Sequence, residues 1–321
     1  MGLHIKDKVN NWLRLHQEHG GFHDEENKLR KEFYQVSEEK SQYLLVFMVD
    51  GRSVHGGLAD RLKGICTLYE YSKQQGIPFR INFTYPFLLQ EYLEPNKYDW
   101  SLKEGELAYN LNDCKPILLN THQFPRRLHT SYLERMICKY RQLHVYSNSD
   151  IFNNKFHQNF HELFKLSDQL AKDIEVNLDA IGGDFVSITY RFQQLLGDFK
   201  ERDYKILSAD EKKKLIEDSL KVIENVHKKY PQFKVLVTSD STFFLKTANK
   251  YDYVYIIPGN VVHMDYTSDA DFRTYEKSFI DLLTLSHASK IFLAYSGQMY
   301  KSGFAYCASL IGNVEYEEIK Y

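Results

Sequence analysis

"YLLVFMVDGRSVHGGLADRLKGICTLYEYSKQQGIPFRINF" spans residues 43–83, and its reading decides the fold class. Residues 43–50 form a nearly unbroken apolar run, ended by Asp50 and Gly51. A run of this length with turn residues behind it reads as a strand buried on both faces, as in a parallel sheet. The period then changes. Leu58, Leu62, Ile65, Leu68 and Tyr69 recur at helical spacing, and Gly76 fits a C-terminal cap. "PFRINF" (78–83) reads as a second strand, which completes a βαβ unit.

The loop between the first strand and the helix, "HGGLADRLKGI" (55–65), is rich in glycine. A Walker loop requires Lys-Ser/Thr after its last glycine, and none is present. The dinucleotide fingerprint requires G-x-G-x-x-G, whereas the glycines here are Gly56, Gly57 and Gly64. Two readings remain. In one, the glycines admit a ligand close to the backbone at a helix N-terminus; in the other, they make a tight turn before a capped helix. Asp60, in the first turn, suits the helix dipole in either case.

Outward from this unit the alternation continues. Residues 1–40 are polar and helix-like. "KPILLNT" (115–121) and "LHVYSN" (143–148) read as strands around the helix "TSYLERMICKYRQ". Residues 151–183 read as one long helix ending at Gly182-Gly183, near which a domain boundary is expected. The second half restarts the pattern. Strands are expected at 185–192, 233–240, 253–259 and 290–296, and helices at 208–231, 276–288 and 302–312. A further helix, "STFFLKTANKY", follows the strand at 233–240. Ser208 and Glu211 form a capping box. The reading is an α/β chain of two Rossmann-like domains facing across a cleft, 1–178 and 179–321.

Composition narrows the function classes. The chain has 321 residues and a net charge of -2, so nothing favours a polyanion across the whole surface. No nucleic-acid module is visible. Its 24 Tyr and 21 Phe suit a sugar-handling surface, or reflect an A+T-rich genome. Cys66, Cys114, Cys138 and Cys307 form no C-x-x-C pair and read as reduced thiols. His157 and His161 stand at i,i+4 without an evident third ligand, so no metal site is expected. The first residues show no signal-like apolar segment, and no run approaches the ~20 residues of a membrane span. A cytoplasmic protein is expected, with room for peripheral membrane contact.

Four stretches could carry chemistry. Arg191 ends an apolar strand, where open α/β sheets bind ligands, and a guanidinium there can grip a phosphate. Thr238, Ser239 and Asp240 end another strand; they suit a sugar or an N-cap. Asp281 interrupts an apolar helix face. It is either solvated or reads a base, since one carboxylate can accept guanine's adjacent N1–H and N2–H together. Ser296 and Ser302 flank a polar loop, and the helix start at Ser302-Gly303 offers N–H groups to a phosphate.

Together, "TYRF" (189–192), "TSDS" (238–241), "DLLTLSHASKIFLAYS" (281–296) and "SGFAYCA" (302–308) resemble the donor domain of the GDP-fucose-dependent glycosyltransferases. That group includes α-1,2-, α-1,6- and protein O-fucosyltransferases. "GGLADRLKGI" is similar to the family's N-terminal glycine loop, and the order of motifs covers about 250 residues. The family's strand-end His is Thr189 here, and its second Arg is Phe192.

The resemblance implies a GT-B fold, inversion at the fucose carbon, no metal or other cofactor beyond GDP-fucose as donor substrate, and a glycan acceptor. It implies donor contacts from His55, Gly56, Gly57, Arg61, Thr189, Asp240, Asp281, Ser296, Ser302, Gly303 and Phe304. Arg191 would stabilise the leaving phosphate and Asp198 would take the acceptor's proton, with Asp60 and Glu201 as rivals. Two alternatives stand beside it: a GT-B transferase using another nucleotide sugar, and a catalytically idle protein that binds glycan or nucleotide.

Overall fold

Helix α1 (Phe22–Phe33) precedes the apolar run, which forms strand β1 (Leu44–Val49) with every residue buried. The structure is a computed structural model and describes residues 22–53, 55–121, 125–199, 206–259 and 272–321. After β1 come α2 (Leu58–Gln75), β2 (Phe79–Phe83), β3 (Cys114–Leu119), α3 (His129–Ile137), β4 (Gln142–Ser147) and α4 (Phe156–Leu163). The sheet order is β2-β1-β4-β3, and its ladders are parallel. The expected βαβ unit is therefore present.

The polar helix α1 packs Leu29 and Phe33 on this sheet, and one buried carboxylate also ties it there. Glu26 accepts from the Lys115 ammonium at 2.9 Å, the Tyr132 hydroxyl at 2.8 Å and the Leu118 N–H at 3.0 Å. A charge removed from water needs such a set of donors.

The rest of the chain forms α5 (Asp168–Ile181), β5 (Phe185–Tyr190), α6 (Ala209–Lys229), β6 (Lys234–Ser239), α7 (Thr242–Ala248), β7 (Val254–Tyr255), α8 (Phe272–Leu285), β8 (Lys290–Tyr295), α9 (Phe304–Gly312) and β9 (Tyr316–Lys320). The second sheet runs β9-β8-β5-β6-β7, again in parallel. The chain builds outward from β5 through β6 to β7, then returns to the other side of β5 for β8 and β9. The point between β5 and β8 where this direction reverses is where open α/β sheets form a ligand crevice.

The contacts of the chain divide it into two compact units. Met1–Gly56, Asp60–Leu89 and Pro95–Lys165 belong to one; Gly57–Ala59, Gln90–Glu94 and Leu166–Tyr321 belong to the other. The boundary expected between 178 and 179 falls inside α5. The long helix expected over 151–183 is two helices, because Phe164–Leu166 is extended and Ser167 starts α5 as its N-cap. The strand expected over 253–259 is reduced to Val254–Tyr255, and Pro258 beyond it has no N–H for a ladder. The capping box at α6 is present, with Glu211 Oε2 accepting the Ser208 N–H at 2.9 Å. No disulfide joins the four cysteines. Among the described residues no helix is long and apolar enough to cross a membrane.

Gly64 shows how tightly α2 lies on its sheet. A Cβ there would sit 2.2 Å from the Ser147 carbonyl oxygen and 2.7 Å from the Phe47 ring. Gly57 has nothing within 4 Å of a Cβ. Gly64→Ala is expected to lose about 1–3 kcal/mol of stability or more, because backbone must move. Gly57→Ala should leave the urea midpoint nearly unchanged. Equal midpoints for the two variants would refute this packing.

Candidate functional site

The glycine loop after β1 is built around Arg61, which is fully buried. Its Nε donates to the Gly56 carbonyl at 2.9 Å and its Nη1 to the Tyr85 carbonyl at 2.9 Å, with the guanidinium over the Phe83 ring. Arg61 thus gives two of its donors to backbone of its own unit. Gly56 has φ +73, and a Cβ there would lie 3.0 Å from Asp60 Oδ2, so the turn itself demands glycine. Asp60, partly exposed, pairs with Lys63 at 2.8 Å.

His55 Nε2 accepts the Gly51 N–H at 3.0 Å, and its ring stacks on Tyr146. A backbone N–H can only donate, so the neutral ring carries its proton on Nδ1. Burial, and then the Arg61 charge, lower the His55 pKa to about 3. The Tyr146 hydroxyl in turn donates to Asp50 Oδ2 at 3.1 Å.

In the second unit the register decides what meets. Thr189 pairs with Thr238 and Tyr190 with Ser239, so the next residues, Arg191 and Asp240, leave the sheet side by side. Arg191 Nη1 lies 3.4 Å from Asp240 Oδ2, and its guanidinium covers the Phe199 ring at 4.7 Å. Its side chain is 17% exposed. Asp240, with a side chain only 1% exposed, also accepts the Phe192 N–H at 2.8 Å and the Gln193 N–H at 2.7 Å. Burial raises its carboxyl pKa, against the pull of Arg191 and these N–H groups.

The other expected residues are engaged as follows. The Thr189 and Thr238 hydroxyls bond each other at 2.9 Å, so Thr189 is committed within the sheet. Phe192 is buried and stacks with Tyr190. Asp198 is exposed, but its Oδ2 accepts from the Ser241 hydroxyl at 2.9 Å and the Phe243 N–H at 2.8 Å, which ties the loop to the start of α7. Glu201 lies outside the described residues.

Asp281 is buried in α8 and paired with Lys277 one turn earlier. Burial raises its carboxyl pKa, and Lys277 opposes this. Ser296 follows β8, and Gly303 caps α9 with no side-chain bond, while Phe304 N–H donates to Ser302 Oγ at 3.2 Å. Arg191 and the start of α9 therefore follow neighbouring strands, on the two sides of the reversal point. His157 and His161 stand edge to face, and among the described residues no three potential metal ligands converge.

Sequence reasoning missed Lys277, Phe199 and Gln193. The i,i+4 spacing of Lys277 and Asp281 was a readable signal. Nothing in the sequence marked Gln193, which adopts a left-handed φ of 52°.

Among solved structures, the fucosyltransferase NodZ from Bradyrhizobium is similar, at 12% identity over 85% of this chain and 94% of that one, with a TM-score of 0.52. The NodZ alpha-1,6-fucosyltransferase soaked with GDP-fucose is 13% identical over 84% and 93%, with a TM-score of 0.50. POFUT1 in complex with GDP is 11% identical over 89% and 99%, with a TM-score of 0.47. No family model matches the sequence, and no curated protein sequence does. At this identity the likeness to NodZ is one of fold: the chain has the GT-B fold of that fucosyltransferase.

The histidine geometry has a pH signature. His55 is neutral in the fold down to about pH 3, whereas in the unfolded chain it binds a proton near pH 6.5. The unfolded state then holds more protons between these values, so stability falls as pH drops from 6.5 toward 3. The contribution is about 1.4 kcal/mol per pH unit across that window at most. His55→Asn, which keeps an acceptor for Gly51, should flatten the slope in a series of urea unfolding curves. A slope unchanged by the substitution would rule out this protonation state.

Proposed function

We propose that the chain is an inverting, metal-independent glycosyltransferase that moves L-fucose from GDP-fucose to a glycan hydroxyl. The observation that carries this reading is Arg191, held at the carboxyl end of β5 beside the reversal point, in a fold shared with NodZ. One NodZ structure was soaked with GDP-fucose and another co-crystallized with GDP. The 179–321 half serves the donor and the 1–178 half the acceptor. The cytoplasm, with room for peripheral membrane contact, is the compartment that this reading takes.

In the reaction, the acceptor oxygen attacks the anomeric carbon of fucose from the face opposite GDP. The bond from that carbon to the β-phosphate oxygen breaks, and its electron pair leaves with GDP. Negative charge grows on that oxygen, and a pre-set cation with helix N–H groups stabilises it more than water does. Arg191 supplies the cation, and the α9 start around Ser302, Gly303 and Phe304 supplies N–H groups; Ser296 lines the same strand end. The acceptor proton goes to a carboxylate. Asp198 is assigned this step, since it is exposed on the loop that carries Arg191; Asp60 and Glu201 are its rivals.

A second reading is favoured by one observation. Asp281, the residue assigned to guanine, is already paired with Lys277. A donor with another base, on the same fold, fits an Asp281 that serves only that pair. A catalytically idle, ligand-binding chain is the third reading.

One thermal-shift panel separates them. GDP and GDP-fucose are expected to raise Tm, while UDP and ADP do not. Arg191→Ala should lower turnover of GDP-fucose by about 10²–10³-fold in the folded variant, with Tm lowered because the buried Asp240 loses its cation. A shift with UDP or ADP alone would move the donor assignment to another nucleotide. Full activity in Arg191→Ala would overturn the site.

A further inference from the structure

We infer that Asp240 is a positioning residue: its buried carboxylate fixes the backbone after β5 and sets the direction of the Arg191 guanidinium. The inference rests on the reading that Arg191 meets the donor's pyrophosphate. It assigns Asp240 a role different from the sugar contact that its place at a strand end suggested.

The geometry is specific to three consecutive residues. Asp240 Oδ1 accepts the Phe192 N–H at 2.8 Å, Oδ2 accepts the Gln193 N–H at 2.7 Å, and Oδ2 also faces Arg191 Nη1 at 3.4 Å. The Ser239 hydroxyl approaches Oδ1 at 3.4 Å. With these donors around both oxygens and the side chain 1% exposed, little of the carboxylate remains for a sugar hydroxyl.

Two successive N–H groups that converge on one point make an anion-binding concavity. Here the anion is part of the chain. Gln193 adopts φ 52° in this turn, a left-handed region that disfavours a residue with a side chain. Such a backbone persists only where its surroundings hold it, and the Asp240 bonds to 192 and 193 do so. On the other side, Arg191 lies over Phe199 at 4.7 Å. An ionic contact and a ring face therefore limit the directions open to the guanidinium. At the far end of the loop, Asp198 ties it to Ser241 and Phe243. The Arg191 loop thus has a carboxylate anchor at each end, and only Asp240 touches Arg191 itself among the two.

The test is a double-mutant cycle with an exchange measurement beside it. Asp240→Asn keeps the shape but offers one acceptor where two N–H groups and a cation require more. With GDP-fucose it is expected to lower kcat by about 10²-fold, with KM changed far less, since the effect falls on charge that develops in the transition state. In the Arg191→Ala background the same substitution should cost less than about threefold, because residues that act as a unit are not additive. A merely structural Asp240 would instead give additive losses. Amide exchange at Phe192 and Gln193 is expected to quicken at least about tenfold in Asp240→Asn, with β5 and β6 unchanged.

Should Asp240→Asn fail to fold, Asp240→Glu keeps the charge with the carboxylate displaced by one carbon, and is expected to show the same kcat loss in weaker form. Additive losses, or exchange at 192 and 193 as slow as wild type, would overturn the inference. If the wild type turned over no GDP-fucose, the functional reading would fall. Exchange at 192 and 193, which requires no donor, would then still decide whether Asp240 holds the loop.

Discussion

A carboxylate removed from water has to be surrounded by donors, and the second unit is arranged around one. Asp240 reaches its place through the parallel register of β5 and β6, which pairs Thr189 with Thr238 and Tyr190 with Ser239. The residues that follow leave the ladder together, so a cation and an anion emerge side by side. The backbone then turns so that two N–H groups face the anion, and Gln193 takes up a left-handed φ to allow it. Moving either strand by one residue would leave Arg191 beside Ser239 or Ser241. The register of a buried sheet is strongly specified by its apolar faces, so core packing indirectly sets the charge pair.

The first unit treats its buried charge in the opposite sense. Arg61 is a cation without exposure, and two backbone carbonyls, of Gly56 and Tyr85, surround it. In both units the loop after a first strand is tied by a charged side chain to its own main chain. The consequence differs. Arg61 holds the loop that carries it, whereas Asp240 holds a loop that presents another charge. The glycines of 55–65 follow from the same packing. Gly56 fits a turn with positive φ, and Gly64 lets α2 rest on the Ser147 carbonyl. The loop looks like a phosphate cradle because close helix–strand packing and phosphate approach both demand glycine.

This explains what could be read from sequence. The β1–α2–β2 unit and the restart of the alternation after 183 follow from apolar period alone, which burial enforces. The place of Arg191 at the carboxyl end of a strand was legible because the apolar run stops directly before it. The role of Arg61 was not legible, since sequence shows a charge in a helix turn and not the carbonyls that fold back onto it. Strand β9 escaped because "YEEIK" at a sheet edge has little apolar signal. The break between α4 and α5 escaped for a different reason. "LFKLS" has neither Pro nor Gly, and its only marker is Ser167, whose hydroxyl accepts the Leu170 N–H.

Asp281 raises the sharpest question of specificity. A carboxylate can accept two adjacent N–H groups of guanine, but here it already faces the Lys277 ammonium inside a helix buried on all faces from Tyr275 to Leu285. The stem of Lys277 runs along Gly259, where a Cβ would come within 3.0 Å of it, so the ammonium is confined by the backbone beside it. Separating this pair would leave one buried charge without a partner, which costs several kcal/mol. A base that only displaced Lys277 would bear that penalty. One that met both groups at once, offering an acceptor to the ammonium and donors to the carboxylate, would not. Guanine's O6, N1–H and N2–H edge has that order, and adenine's does not. Under the proposed GDP-fucose reading, guanine is compatible with this pair only where it meets Lys277 and Asp281 together.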